Sequence, residues 1–139
     1  LGRNAALAGI KHTNRLEQVL ARTEWEDGRM DEGLMQDGDG HVIGATQANV
    51  FARIGGHWVT PRLDGCGVAG IMRRAFREWL KGQGSPAEER AIAAPELASA
   101  SALVLTNALI GAWPVRDLAG RALAVDPEVA AFNAWLARL

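Results

Sequence analysis

The chain has 139 residues, 48% of them apolar and 22% charged, which is enough for one domain with a packed core and unlike a disordered or fibrous composition. Its 15 basic and 16 acidic residues nearly cancel, so the broad positive field of a phosphate-backbone binder is missing and nucleic acid is not expected as a partner. A single cysteine, Cys66, excludes an internal disulfide and a thiolate metal cluster and suits a reducing cytoplasm, and no apolar run reaches the roughly 18 to 20 residues of a membrane span.

The first segment, up to Lys11, has no cap or turn that would begin a fold and reads as the continuation of one. From Thr13 or Asn14, either of them a possible N-cap, the apolar positions Leu16, Val19 and Leu20 recur at helical spacing and predict a helix to about Arg22. The acidic stretch Glu24 to Asp31 is expected as a solvated connection. Gly33 to Gln36 predicts a short strand, Asp37-Gly38-Asp39-Gly40 a turn, and His41-Val42-Ile43 the returning strand. Asn49 to Ile54 and His57 to Thr60, separated by Gly55-Gly56, carry the signature of a hairpin with a two-residue loop. Pro61 should end that strand, and the three glycines between Arg62 and Gly70 predict a loop.

Helical spacing then resumes. Ile71, Met72, Ala75, Phe76, Trp79 and Leu80 mark one face, Arg73, Arg74, Arg77 and Glu78 the other, and Gly82 and Gly84 terminate the helix. Residues 87 to 94 suggest a short strand, and Pro95 opens a short helix to about Ala100. Leu103 to Thr106 and Ala112 to Val115 read as strands, and Pro127 opens a terminal helix carrying Val129, Phe132, Trp135 and Leu136. Strands and helices are intermixed with hairpins among them, so the expected class is α+β, a mixed sheet flanked by helices.

Two features could carry chemistry. Only two of the 15 basic residues are lysines, Lys11 and Lys81. Lys11 follows the apolar run Leu7 to Ile10, and an amine in an apolar setting loses ammonium solvation and becomes available as a nucleophile. Spacing alone equally allows a lysine snorkelling at a helix start. The glycine-rich loop before Ile71 leaves free N–H groups at a helix N-terminus, a natural anion site, although most such loops bind nothing and no P-loop pattern is present. His12, His41 and His57 lack metal-ligand spacing, so no metal is expected. Cys66 lacks an evident base and reads as incidental.

The string LAGIKHTNRLEQVLAR resembles the cofactor-lysine segment of the fold-type IV pyridoxal-phosphate enzymes. Within them it is similar to the 4-amino-4-deoxychorismate lyases more than to the branched-chain or D-amino-acid aminotransferases, because KHTNRLEQ is the lyase-type variant. The likeness continues in register through DGDGHVIGATQANVF, VTPRLDGCGVAGIMRRAF and LVLTNALIGAWPV.

What the resemblance implies can be stated residue by residue. Lys11 would carry pyridoxal 5'-phosphate as a Schiff base and shuttle protons; Gly70, Ile71 and Met72 would hold the phosphate from the helix start. Thr106, Asn107 and Ala108 would approach it from another side, with Ala108 standing where transaminases often have a threonine. The implied reaction eliminates pyruvate from 4-amino-4-deoxychorismate to leave 4-aminobenzoate, a folate precursor, in a cytoplasmic homodimer. The implied architecture is the large C-terminal domain, residues 1–139, with a barrel-like sheet, following a small N-terminal domain that supplies an arginine to the phosphate. Gly44 stands where the family has a glutamate that pairs with the pyridine nitrogen, which predicts a weaker electron sink or an impaired relative.

Overall fold

The computed structural model describes residues 1–25, 28 and 30–139. Its centre is a five-stranded sheet built from β3 (Asn49–Ile54), β4 (His57–Pro61), β5 (Glu88–Arg90), β6 (Ala102–Asn107) and β7 (Gly111–Pro114), in the order β5-β4-β3-β6-β7. Only β4 and β5 run parallel. Ahead of it in sequence, β1 (Leu34–Gln36) and β2 (Val42–Ala45) form a separate antiparallel pair. The sheet is mixed, as the sequence predicts, but among the described residues it is open and does not close into a barrel.

The period-two alternation of β3 and β6 buries both sides of this sheet. Val50 and Ala52 of β3 and Leu103 and Leu105 of β6 face one cluster, completed by Val42, Val59, Ile92 and Leu97. Phe51 and Val104 face the other, against helix α2 (Ile71–Gly82) and helix α3 (Pro127–Leu136). A strand covered on both sides reads as a continuous apolar run, and that is the sequence of β6. The β3–β4 hairpin turns through Gly55 (φ 59°) and Gly56 (φ 83°), a pair of positive φ values that matches the right-handed twist of the flanking strands.

The terminal helix begins as expected at Pro127, and the structure adds its cap: the Asp126 carboxylate accepts from Glu128 N–H at 3.0 Å. The same carboxylates receive Arg53 Nη1, at 2.5 Å from Asp126 and 3.1 Å from Glu128, while Trp58 Nε1 donates to Glu128 at 2.7 Å. The sheet and the helix start are thereby joined by one partly buried charge cluster.

Several expectations are corrected. The first helix, α1, covers Leu16–Arg22; Arg15 holds the cap position, and neither Thr13 nor Asn14 caps it. Leu16, Val19 and Leu20 are 64%, 59% and 57% exposed, so the apolar stripe of α1 lacks a cover among the described residues. Arg73, assigned by its charge to the solvent face of α2, is buried: its Nη2 donates to Pro61 O at 2.9 Å and to Glu89 at 3.0 Å, which satisfies the charge inside. Ile71, assigned to the apolar face, is 72% exposed because it sits in the first turn and borders an open cleft. Pro61 ends β4 as expected, as the last residue of the strand. The strand read at 87–94 is confined to Glu88–Arg90, and the helix opened by Pro95 is a 3-10 helix over Ala94–Ser99. A small hairpin, β8 (Asp117–Leu118) with β9 (Arg121–Ala122), was not expected. The acidic connection read at 24–31 falls partly outside the described residues.

The Phe76 ring is the hub of the α2–α3 face, with ring centroids 5.0 Å from Phe51, 5.9 Å from Trp58 and 4.9 Å from Phe132. Phe76→Ala should lower the unfolding free energy by about 3–5 kcal/mol, checked by urea unfolding; a loss below about 1 kcal/mol would show that this face is not the core.

Candidate active site

An open cleft of about 640 Å3 lies where the Lys11 segment, the β2–β3 corner, the start of α2 and the β6–β7 turn meet. Every residue that the sequence singled out for a site lines it: Lys11, Gly70, Ile71, Met72, Thr106, Asn107 and Ala108. The structure therefore brings the two independently read features, the lysine and the helix start, into one cavity.

The anion end is built around a missing Cβ. Asn49, the first residue of β3 and buried, accepts from Gly70 N–H at 3.2 Å through Oδ1 and donates to Val68 O at 2.6 Å through Nδ2. A Cβ on Gly70 would lie 2.3 Å from that Oδ1, so no other residue fits the cap position without moving Asn49. The clip leaves the first-turn amides of Ile71 and Met72 facing the cleft with no acceptor among the described residues, at the positive end of a 12-residue helix. Beside them Thr106 is fully buried, and its Oγ1 has no hydrogen-bond partner among the described residues. A buried orphan hydroxyl next to free amides is a donor set waiting for an acceptor. Asn107 shapes the adjoining turn: its Oδ1 accepts from Leu109 N–H and Ile110 N–H at 2.9 and 3.0 Å, and its Nδ2 reaches Gln47 O at 3.3 Å. Ala108 brings no hydroxyl.

Lys11 reaches the cleft because Gly9 docks its segment on the glycine-rich loop: Gly9 N–H donates to Gly67 O at 2.9 Å and Ala69 N–H to Gly9 O at 3.0 Å. The apolar setting expected for Lys11 is not what surrounds it. The lysine is exposed at the cleft mouth, and Ile10 before it is 52% exposed, because the segment runs along the outside of the loop.

The opposite wall is the corner Gly44 to Ala48, closed by Ala45 N–H to Ala48 O at 2.8 Å. No carboxylate lines the cleft among the described residues; Lys11 and Arg15 are its charged side chains. Spacing did not single out Arg15, Thr46 or Glu32, yet they organise this wall. Glu32 Oε1 accepts from Gly33 N–H at 2.9 Å, from Thr46 N–H at 3.1 Å and from the Thr46 hydroxyl. Thr46, fully buried, then accepts Arg22 Nη1 on its hydroxyl at 3.2 Å and Arg15 Nη2 on its carbonyl at 2.6 Å.

Cys66 stays outside the cleft. It is buried beside a smaller hollow of about 130 Å3 that Arg3, Asp37 and His41 also line, and burial pushes its thiol up, away from the reactive thiolate. Asp37, Asp39 and His41 place ligand atoms within 4.8 Å of one another, but Asp37 Oδ1 already accepts from the amides of Asp39 and His41 to close the β1–β2 turn.

The cleft thus sets an amine and the free amides of a helix start on an open mixed sheet. The model of the amino-transferase class IV family matches residues 2–118, and the chain belongs to that family. It is similar to an aminodeoxychorismate lyase from Vibrio harveyi, 34% identical over 132 residues, which are 91% of this chain and 46% of that protein. Among solved structures, a 4-amino-4-deoxychorismate lyase from Pseudomonas aeruginosa is 40% identical with a TM-score of 0.93 over 99% of this chain and 51% of its own. A fold IV-transaminase from Curtobacterium pusillum is 30% identical with a TM-score of 0.84, over 94% of this chain and 44% of its own. The chain spans about half the length of these relatives.

Because Asn49 Oδ1 occupies the Cβ space of residue 70, Gly70→Ala and Asn49→Ala should be strongly coupled. In urea unfolding the double variant should be more stable than the sum of the single losses by about 0.5–3 kcal/mol; strict additivity would show that the clip does not exist.

Proposed function

We propose that the chain is the cofactor-lysine domain of a pyridoxal-phosphate lyase that acts on 4-amino-4-deoxychorismate, releasing pyruvate and leaving 4-aminobenzoate for folate synthesis. The observation that carries this reading is the meeting of Lys11 with the free amides of Ile71 and Met72 and the orphan Thr106 hydroxyl in one cleft. Those residues fit the aldehyde and phosphate ends of pyridoxal phosphate. When bound, the cofactor supplies an electron sink for the electrons released from the carbon that bears the substrate's nitrogen.

The chain's own residues divide the remaining work. The amides of Ile71 and Met72 bind the phosphate with the helix dipole behind them, and Thr106 Oγ1 donates to it from the buried side. Asn49 and Gly70 fix the aim of those donors. Lys11 Nζ would hold the cofactor, and its free amine would accept the proton from the substrate carbon that bears nitrogen and return one to the departing enolpyruvyl carbon. Gly44, Ala45 and Ala48, with the amide of Gln47 beside them, would give a bound ring an uncharged wall.

That wall favours elimination over transamination. Without a carboxylate the ring nitrogen is less basic and the sink weaker, and elimination is compensated by aromatisation of the product ring, whereas amino-group transfer is not. A fold-type IV aminotransferase remains the second reading, favoured by the likeness to the transaminase. A catalytically impaired relative is the third, favoured by Gly44. We place the protein in the cytoplasm as a homodimer; no helix among the described residues is long and apolar enough to cross a membrane.

Added pyridoxal phosphate should give a visible absorption band that borohydride bleaches, and peptide mapping should find the reduced adduct on Lys11. An adduct on Lys81, or none, overturns the assignment. Lys11→Ala should lower 4-aminobenzoate formation by about 10²–10⁴-fold or more. Exchange of keto acids with no 4-aminobenzoate would select the aminotransferase. Gly44→Glu should raise elimination, provided that the Ala48 carbonyl, 3.0 Å from the new Cβ, gives by a few tenths of an ångström.

A further inference from the structure

The phosphate end of the cleft is furnished by backbone amides and a hydroxyl, which leaves the guanidinium of Arg15 unassigned. We propose that Arg15 is the specificity-determining residue for this site, the group that recognises a carboxylate of the substrate. The proposal rests on the reading of the cleft as the seat of a lyase for a dicarboxylate.

Three observations carry it. First, Arg15 and Lys11 are the charged side chains that line the cleft, and no carboxylate lines it among the described residues, so the cavity has an unopposed positive charge. Lys11 is committed to the cofactor in the proposed reaction, and Arg15 is then the cation left to meet a substrate anion.

Second, Arg15 is aimed. Its Nη2 donates at 2.6 Å to the carbonyl of Thr46, a fully buried residue whose amide and hydroxyl are both held by Glu32. Glu32 has a side-chain exposure of 10%, so this support is a buried, hydrogen-bonded carboxylate and not a mobile surface pair. That bond tethers the guanidinium to the Gly44–Ala48 corner before any ligand arrives. The other N–H groups have no acceptor among the described residues, and the Nη2 N–H not spent on Thr46 O forms, with the N–H of Nη1 or of Nε beside it, a parallel pair of the kind a carboxylate takes in bidentate fashion.

Third, Arg15 is the residue just before helix α1 and its side chain makes no capping bond there, so its role is not explained by the helix it precedes. The anchoring acceptor lies 31 residues away, in the cleft wall.

Chorismate is a suitable probe, because it has both carboxylates and carries a hydroxyl where the substrate carries its reactive amine. Its dissociation constant is measured by calorimetry with and without pyridoxal phosphate, for the wild type and for Arg15→Gln, Arg15→Lys and Lys81→Gln. Arg15→Gln keeps a donor for Thr46 O and loses the charge and the fork; it should weaken chorismate at least tenfold, with Arg15→Lys intermediate. Lys81→Gln, at an exposed position on α2, should bind as the wild type does and so excludes bulk charge.

Borohydride-fixed cofactor on Lys11 should stay within twofold in every variant, and melting temperatures should be close. Equal chorismate affinity in the wild type and Arg15→Gln, or no affinity in the wild type, overturns the proposal. Parallel loss of chorismate, cofactor and thermal stability in Arg15→Gln would make the residue structural and also overturns it. Chorismate binding that depends on Arg15 in a protein whose Lys11 takes no cofactor would sustain Arg15 and sink the lyase reading.

Discussion

The carboxamide of Asn49 in the space above Gly70 is the contact on which the cleft depends. It joins the first residue of β3 to the cap of α2, and because Asn49 is paired with Thr106 across the β3–β6 ladder, three elements converge on one side chain. A carboxamide is suited to this place because it accepts from Gly70 N–H and donates to Val68 O at once. An aspartate would keep the first bond and lose the second. The aim of the helix amides is thus decided by the sheet, which is packed on both faces.

The second organising contact is Thr46. Its hydroxyl, amide and carbonyl all have partners: Arg22 of α1, Arg15 just before α1, and Glu32 two residues ahead of β1. Glu32 is a nearly buried charge, tolerated because it is spent on hydrogen bonds and has Arg22 4.0 Å away. The result is a corner held at its backbone whose cleft side carries one long side chain, Gln47, since Gly44, Ala45 and Ala48 contribute almost none.

Much of the fold was legible because its determinants are local. The Gly55-Gly56 turn, the spacing of α2 and the Pro127 start of α3 are each specified within a few residues, and each forms where expected. The failures share a cause: burial is decided by distant partners. Arg73 reads as solvent-facing until Pro61 O and Glu89 are beside it, and Leu16, Val19 and Leu20 read as core although no described element covers them. At the site, physical reasoning found Lys11 and the α2 start separately, and only the family resemblance joined them to Thr106, Asn107 and Ala108. Arg15 and Glu32 carried no local signal, for their partners lie 31 and 14 residues away. The apolar surroundings inferred for Lys11 came from sequence neighbours that turn outward.

The division of labour between arginine and lysine has a chemical consequence. Arg53, Arg73, Arg90 and Arg121 hold structural carboxylates or carbonyls, work in which a guanidinium, protonated at any ordinary pH, cannot act as a nucleophile. Had lysines filled those places, each would present an amine able to condense with an aldehyde. The framework is therefore silent toward carbonyl electrophiles, and the two side-chain amines of this chain stand apart from it, one in the cleft and one on the outer end of α2.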